Sequence, residues 1–213
     1  LHVEWDQGPD QPPRWPLEGD AMTNISEPIR FCFDERKVTA AAALLLELAG
    51  GTMEYLRLIK LLYFADRDAL DAFGHPITGD RYIAMKHGPV LSQTYNLVKR
   101  VVFNKLTGGT TWDEHIEGAG RYGLRLKRHP GVGALSQAEI DVLTDVFQQY
   151  CTRDTWSLRD ETHALPELED PGDSAVEIQV EEIRQVLGKG EDEVAAVRQH
   201  AREEAHFDRL FGR

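Results

Sequence analysis

The stretch GDRYIAMKHGPVLSQTYN, residues 79 to 96, decides how the chain is expected to fold, because it begins like a β-strand and ends like a helix. Its first part alternates side chains between two apolar faces, as in a short strand that is buried on both sides. Gly88 permits a sharp backbone angle, and Pro89 suits the first position of a helix. The stretch therefore predicts a strand over 81–86 that turns directly into a helix over 89–102.

His87 lies at this corner, between Lys86 and Gly88. A histidine at the end of a strand could act as a general base, since its ordinary pKa lies near neutrality. Alternatively, its ring nitrogens hydrogen-bond main-chain groups that are left unpaired where a strand becomes a helix. The sequence indicates no nucleophile or second catalytic carboxylate nearby, which favours the structural role. His163, in the segment RDETHALPE, has the same two interpretations.

Two helices are predicted before this stretch. The run RKVTAAAALLLELA, residues 36–49, is rich in strong helix formers and stops at Gly50. Its small polar face predicts a helix that is either central in the core or covered by a partner, and the core position is favoured. Residues 53–74 place leucines at helical spacing, with Thr52 as the expected N-cap. Asp66 lies on the apolar side of this second helix, where we expect its carboxylate to accept a buried hydrogen bond.

The glycine-rich segment 107–130 has the pattern of a β-hairpin. Apolar and basic residues alternate strictly in it, with Tyr122, Leu124 and Leu126 on one face and Arg121, Arg125 and Lys127 on the other. We predict a hairpin within 110–127 that turns at 118–120. It is expected to join the strand over 81–86 in one small antiparallel sheet.

Capping boxes of the form Ser-x-x-Glu predict two helix starts in the second half of the chain. Ser136 and Glu139 precede apolar residues at helical spacing, and Ser174 and Glu177 precede a series that ends at Gly188. The second series predicts one helix from Val176 to Leu187, through Val180 and Ile183. Further helices are predicted over 156–163 and within 190–213.

These elements predict an α+β fold that is predominantly α, a compact helical domain with a small antiparallel sheet. The length of 213 residues favours one domain with appendages. Residues 1–30 are expected to be a disordered N-terminal segment because their first two-thirds are rich in proline and lack apolar periodicity. The division expected is 1–30, a central domain over 31–170, and a C-terminal helical extension over 171–213.

Composition bears on the partners of the chain. The 36 acidic side chains outnumber the 24 basic ones, which gives a formal charge of −12 and makes nucleic acid an unfavourable partner. No apolar run approaches the roughly 18 to 20 residues that span a membrane. Cys32 and Cys151 fit neither a disulfide scaffold nor a Cys-x-x-Cys site, so a reducing cytoplasm is expected.

Signatures of catalysis are missing from the sequence. It contains no Gly-x-Ser-x-Gly elbow, no phosphate-binding loop and no His-Glu-x-x-His motif. The donors at His200, Glu203, Glu204 and His206 are common on solvated helices, so we expect no metal site there. We likewise expect no cofactor and no small-molecule substrate.

Residues 60–98 resemble the Panacea domain, the SocA-like antitoxin family. Members of that family show Lys-Leu-x-Tyr-aromatic-Ala-Asp in a helix, then Pro-Ile-x-Gly-Asp, a strand with an aromatic residue, and His-Gly-Pro-Val. The resemblance extends more loosely to the segment around His163, where Leu168 replaces an expected tryptophan. In all it covers about residues 54–178. The motif residues are Lys60, Tyr63, Asp66, Gly79, Asp80, Tyr82, His87, Gly88, Pro89 and His163.

The resemblance implies a cytoplasmic bacterial or phage antitoxin that binds and neutralises a cognate toxin encoded nearby, with residues 31–170 as its Panacea-like domain. Two other functions stay open. One is an enzyme built on His87 and His163 with Asp66 or Asp80. The other is a DNA-binding autoregulator that uses the basic residues of the hairpin and Arg128. Because the hairpin and the predicted helix from Val176 to Leu187 are expected to present apolar stripes, the candidate toxin contacts are Tyr122, Val176, Val180 and Ile183.

Overall fold

The computed structural model describes residues 27–103, 110–169 and 171–211. These residues form eight helices and six short strands, which confirms an α+β fold that is predominantly α. In chain order the elements are α1 (Glu35–Leu48), β1 (Thr52–Glu54), α2 (Tyr55–Phe73), β2 (Tyr82–Ala84), β3 (Val90–Leu91), α3 (Ser92–Val102), α4 (Thr111–His115), β4 (Ile116–Ala119), β5 (Gly123–Leu126), α5 (Gln137–Tyr150), α6 (Thr155–His163), β6 (Val176–Ile178), α7 (Val180–Val186) and α8 (Glu191–Phe211).

Helices α1 and α2 form the centre of the fold, as the sequence predicts. Asp34 starts α1 by accepting hydrogen bonds from the main-chain nitrogens of Arg36 and Lys37, and most of the helix is buried. Gly74 ends α2 with a left-handed φ of 78°, a conformation that glycine adopts without strain. Both helices pack against α5, whose capping box at Ser136 and Glu139 is confirmed.

The strands form two antiparallel sheets, so the prediction of one shared sheet was wrong. One sheet has the order β1-β5-β4 and the other has the order β3-β2-β6. The hairpin strands pair with Thr52–Glu54, and Thr52 is therefore a strand residue that faces Arg125 and not the cap of a helix. The predicted hairpin range also begins too early, because 111–115 form a helical turn.

The corner after β2 differs from the prediction in one respect. Pro89 is not the first residue of a helix, because Val90 and Leu91 form β3 and α3 begins only at Ser92. Tyr82 pairs with Leu91 across this hairpin and with Ile178 on its other side. Strand β2 is thus held on both edges, and the chain turns back before it enters the helix.

The C-terminal part of the described chain also differs from the prediction, because a strand and a shorter helix replace the single helix predicted over 176–187. Val176 lies in strand β6, and the helix that follows begins at Val180, where the Glu182 carboxylate accepts from the main-chain nitrogen of Gln179 at 2.9 Å. The box predicted at Ser174 and Glu177 starts no helix, because β6 pairs with β2 and keeps that part of the backbone extended. The last predicted helix is present as α8, over Glu191–Phe211.

Both ends of the described chain contribute to the same core. Ile29 is buried, and its main-chain nitrogen donates to Glu181 on α7 at 2.9 Å. Val194 and Val197 of α8 are also buried, and Val197 lies against Gly74. Residues 1–26 of the segment predicted to be disordered lie outside the described residues. The domain boundaries at 30 and 170 stay predictions.

Candidate functional site

The buried face of α2 carries three polar motif residues. Lys60, Tyr63 and Asp66 recur at intervals of three residues, so their side chains lie along one side of the helix. Each of them is at most 1% exposed. Polar groups in such positions need hydrogen-bond partners, because unpaired burial costs roughly 1 to 3 kcal/mol per group. Each finds its partner in a different loop.

Lys60 reaches the corner between β2 and β3. Its Nζ donates to the carbonyl oxygen of Pro89 at 2.7 Å. Burial, with a smaller contribution from the nearby charge of Arg159, lowers the pKa of Lys60 to about 7. One residue earlier, Gly88 has a φ of +82°, and a Cβ atom there would lie 2.8 Å from the Lys60 Nζ and 2.9 Å from the Thr162 Oγ1. The corner therefore requires glycine both for its backbone angle and for its close packing.

His87 and His163 both lie near Gly88, at the surface end of this contact. Both are half-buried, and the His163 Cδ2 would lie 3.3 Å from a Cβ atom at Gly88. Burial lowers the pKa of His87, and the positive groups of Arg159, Lys60, Lys86 and His163 lower it further. The structure thus brings together the two histidines that the sequence singles out, in a positively charged environment.

Asp66 anchors the loop that leads into β2. Its carboxylate accepts hydrogen bonds of 2.9 Å from the main-chain nitrogens of Ile77 and Thr78, and one from the Thr78 hydroxyl. The Tyr82 hydroxyl donates to it at 3.1 Å. Burial raises the pKa of Asp66 to about 7, although the hydrogen bonds from Thr78 and Tyr82 oppose the shift. The buried hydrogen bond expected at Asp66 is therefore present, with four donors.

Asp80 caps the N-terminus of α3. It accepts hydrogen bonds from the main-chain nitrogens of Gln93 and Thr94 at 2.9 and 2.7 Å, and from the Thr94 hydroxyl at 2.8 Å. Burial raises its pKa, while these hydrogen bonds act in the opposite direction. Asp80 lies just before β2, and α3 directly follows β3. The cap therefore connects the two ends of the β2–β3 hairpin and holds the hairpin against the start of α3.

Tyr63 contacts a carboxylate that is not among the ten motif residues. Its hydroxyl donates to Glu167 at 3.2 Å, and Arg67 pairs with the same oxygen at 2.8 Å. The Tyr63 ring also packs edge-on against Tyr82, with centroids 5.5 Å apart. Glu167 and Arg159 also belong to the site and were missed, since they carry no motif and are separated from α2 by about a hundred residues.

Gly79 joins the site to the N-terminal part of the described chain. Its φ is +64°, and a Cβ atom there would lie 2.1 Å from the carbonyl oxygen of Cys32. Any side chain would therefore push the N-terminal segment away from the loop. Of the motif residues, His87 and His163 are half-buried and the other eight are buried: Lys60, Tyr63, Asp66, Gly79, Asp80, Tyr82, Gly88 and Pro89.

The candidate toxin contacts fall into two groups. Val180 and Ile183 are 7% and 1% exposed, because they face α2 and the core, so their side chains are not part of the surface. Val176 is 46% exposed. Tyr122 is half-buried and lies beside the ring of Tyr55 with a centroid distance of 6.3 Å. A direct contact with a toxin stays a prediction for Tyr122 and Val176.

The fold and this site define a mainly helical α+β domain in which a set of buried polar side chains fixes one hairpin between α2, α3 and α6. The family model described as antitoxin SocA-like, Panacea domain, matches residues 58–167, and the chain belongs to that family. All ten motif residues lie within the match. Comparison with curated proteins and with solved structures gave no match. Within the described residues, no helix is long and apolar enough to cross a membrane.

Proposed function

We propose that this chain is an antitoxin that neutralises a cognate toxin by binding it directly. The observation that carries the proposal is the family match over 58–167, which contains every motif residue. The toxin is a protein encoded by a neighbouring gene, and the cytoplasm is the compartment that this role implies. The motif serves the fold, and recognition takes place on the surface that the fold presents.

The placement of the carboxylates favours a binding role over an enzyme. A catalytic site at His87 and His163 would need a carboxylate such as Asp66 or Asp80 to orient a histidine. Asp66 is instead occupied by main-chain, threonine and tyrosine donors. Asp80 is occupied by the N-terminus of α3. Both carboxylates therefore already have structural tasks.

The basic residues of the hairpin are poorly suited to bind DNA. Arg125 hydrogen-bonds Glu117 at 2.6 Å, and Arg128 lies 3.9 Å from Glu114. The Lys127 Nζ donates to the carbonyl oxygen of Asp113 at 3.0 Å. Nearby carboxylates offset these positive charges, and the formal charge of −12 adds a general repulsion of phosphate.

Co-expression tests the proposal. Each reading frame next to the gene is expressed with and without the wild-type chain, and growth and co-purification are measured together. We expect one neighbour to arrest growth alone, and the chain to restore growth and co-purify with it. If no neighbour is toxic or bound, and a turnover screen finds an activity that His87→Ala or His163→Ala abolishes, the chain is an enzyme and the proposal is wrong.

A further inference from the structure

We propose that the toxin binds an aromatic surface formed by Tyr55, Tyr95, Phe103 and Tyr122, and that it inserts there an apolar side chain flanked by carboxylates. This inference rests on the proposed function and adds the location of the contact and the chemistry of the partner. Below, these four residues are called the aromatic surface.

The four rings converge from separate parts of the chain. Tyr55 begins α2 and lies at the centre, with ring centroids 6.5 Å from Tyr95, 6.3 Å from Phe103 and 6.3 Å from Tyr122. Tyr55 itself is buried, whereas Phe103 is 46% exposed and the other two rings are half-buried. The surface therefore has a buried base and three accessible rings, in the arrangement typical of an interface anchor point.

The backbone holds these rings in place before any partner arrives. The main-chain nitrogen of Tyr55 donates to the carbonyl oxygen of Tyr122 at 2.9 Å, which ties the hairpin to the start of α2. Tyr95 lies within α3, and Phe103 is the residue that ends that helix. Aromatic side chains have few rotatable bonds, so fixing their backbone reduces the entropy lost on binding.

Two cations flank the aromatic surface. The Lys99 Nζ lies 4.6 Å from the centroid of the Tyr95 ring, and the Arg121 guanidinium lies 5.1 Å from that of Tyr122. The chain as a whole is strongly acidic, and the exposed Glu54 directly precedes Tyr55, so the positive charge of this rim is confined to the Tyr95 and Tyr122 sides of the surface. A partner that places carboxylates next to an apolar side chain would complement both the rings and the rim.

Other exposed aromatic residues lack this arrangement and serve as controls. Trp156 is 48% exposed on α6, which matches the exposure of Phe103 closely. Phe207 and Phe211 stack on one another, but both belong to α8. Replacement of Trp156 therefore removes a comparable exposed ring while the aromatic surface stays intact.

The test uses the neighbouring gene product that the wild-type chain captures as its probe. A photo-reactive phenylalanine analogue at position 103 should crosslink to this protein in cells, and the same analogue at position 156 should not. Mass spectrometry should place the crosslink at an apolar residue with aspartate or glutamate within a few positions. Phe103→Ala and Tyr122→Ala should each weaken binding by about thirtyfold or more, and Trp156→Ala should leave it unchanged.

Charge reversal at Arg121 tests whether the positive rim contributes to binding, independently of any effect on folding. Arg121→Glu should weaken binding by about tenfold and reduce its salt dependence, while Arg121→Lys should bind almost as well as wild type. Melting temperatures confirm that each variant is folded.

If the wild-type chain rescues no neighbour, the proposed function and this inference both fail. If it rescues one, and the variants at 103, 121 and 122 rescue it equally well or crosslinking maps to 156, only the inference is wrong. It is also wrong if Phe103→Ala dissolves a dimer of this chain without affecting toxin binding, since a second copy would then occupy the surface.

Discussion

The Lys60 Nζ donates a 2.7 Å hydrogen bond to the carbonyl oxygen of Pro89, although Lys60 is completely buried. This bond connects the middle of α2 to the corner between β2 and β3. It places an ionisable amine in a core where the charged form is costly. The contact therefore makes stability depend on pH.

Lys60→Met should remove this dependence. Because the pKa of Lys60 is lowered from 10.5 to about 7 in the fold, the unfolded chain binds more protons between these values. The free energy of unfolding of the wild type should therefore rise with pH in that window, by up to about 1.4 kcal/mol per pH unit. Urea unfolding at several pH values measures the slope. Lys86→Met, which removes a side chain that is 69% exposed, should keep it; an unchanged slope in Lys60→Met would contradict the prediction.

Asp66→Asn should alter the slope on the acidic side of neutrality. The folded pKa of Asp66 is about 7, above its usual 3.8, so the folded chain binds the extra proton between these values. The contribution of Asp66 to stability is fully present below about pH 4 and is lost as the pH rises through about 7. In the same urea series, the free energy of unfolding should decline less between about pH 4 and pH 7 in Asp66→Asn than in wild type. Asp71→Asn, at an exposed position, is the control and should decline like wild type.

Gly88→Ala should destabilise the fold more than Gly120→Ala does. Both glycines have positive φ, +82° and +65°, so alanine strains the backbone at each by roughly 1 to 2 kcal/mol. Only at Gly88 does the new Cβ also meet Lys60 and Thr162. We expect a loss of more than about 2 kcal/mol for Gly88→Ala, measured by thermal unfolding. Equal losses of stability in Gly88→Ala and Gly120→Ala would contradict the prediction, because the close packing around Gly88 would then not contribute to stability.

Much of the fold could be predicted because its helices carry local signals. The leucines of α2 recur at helical spacing, and Ser136 and Glu139 mark the start of α5 on their own. Strands β1 and β6 could not be predicted. Thr52–Glu54 and Val176–Ile178 have three residues each, too few to show a period, and each becomes a strand only by pairing with a distant segment.

The site was predicted as a set of residues but not as a set of contacts. Lys60, Asp66 and His163 were recognisable from the motif. Nothing local indicated that Lys60 would bind the Pro89 carbonyl, or that Glu167 would accept from Tyr63. These partners are separated by 29 and 104 residues, and only the packing of α6 and the β2–β3 corner against α2 brings them together.

Ile29→Ala should show that folded structure begins before α1. Ile29 is 3% exposed and belongs to the core, so its truncation should cost about 2 to 5 kcal/mol. Val132→Ala, at a site that is 39% exposed, should have little effect. Deletion of residues 1–21 is predicted to leave the melting temperature nearly unchanged. A large drop in melting temperature on deletion of residues 1–21, or no loss of stability in Ile29→Ala, would contradict the prediction that the folded part begins between residue 21 and Ile29.

Direct binding is tested most simply with purified components. The neighbouring toxin and this chain are mixed, and complex formation by calorimetry is compared with the loss of toxin activity over the same titration. We predict that the two curves coincide, and that Phe103→Ala shifts both by the same factor while Trp156→Ala shifts neither. A toxin that is neutralised in cells but forms no complex with the purified chain would contradict neutralisation by direct binding.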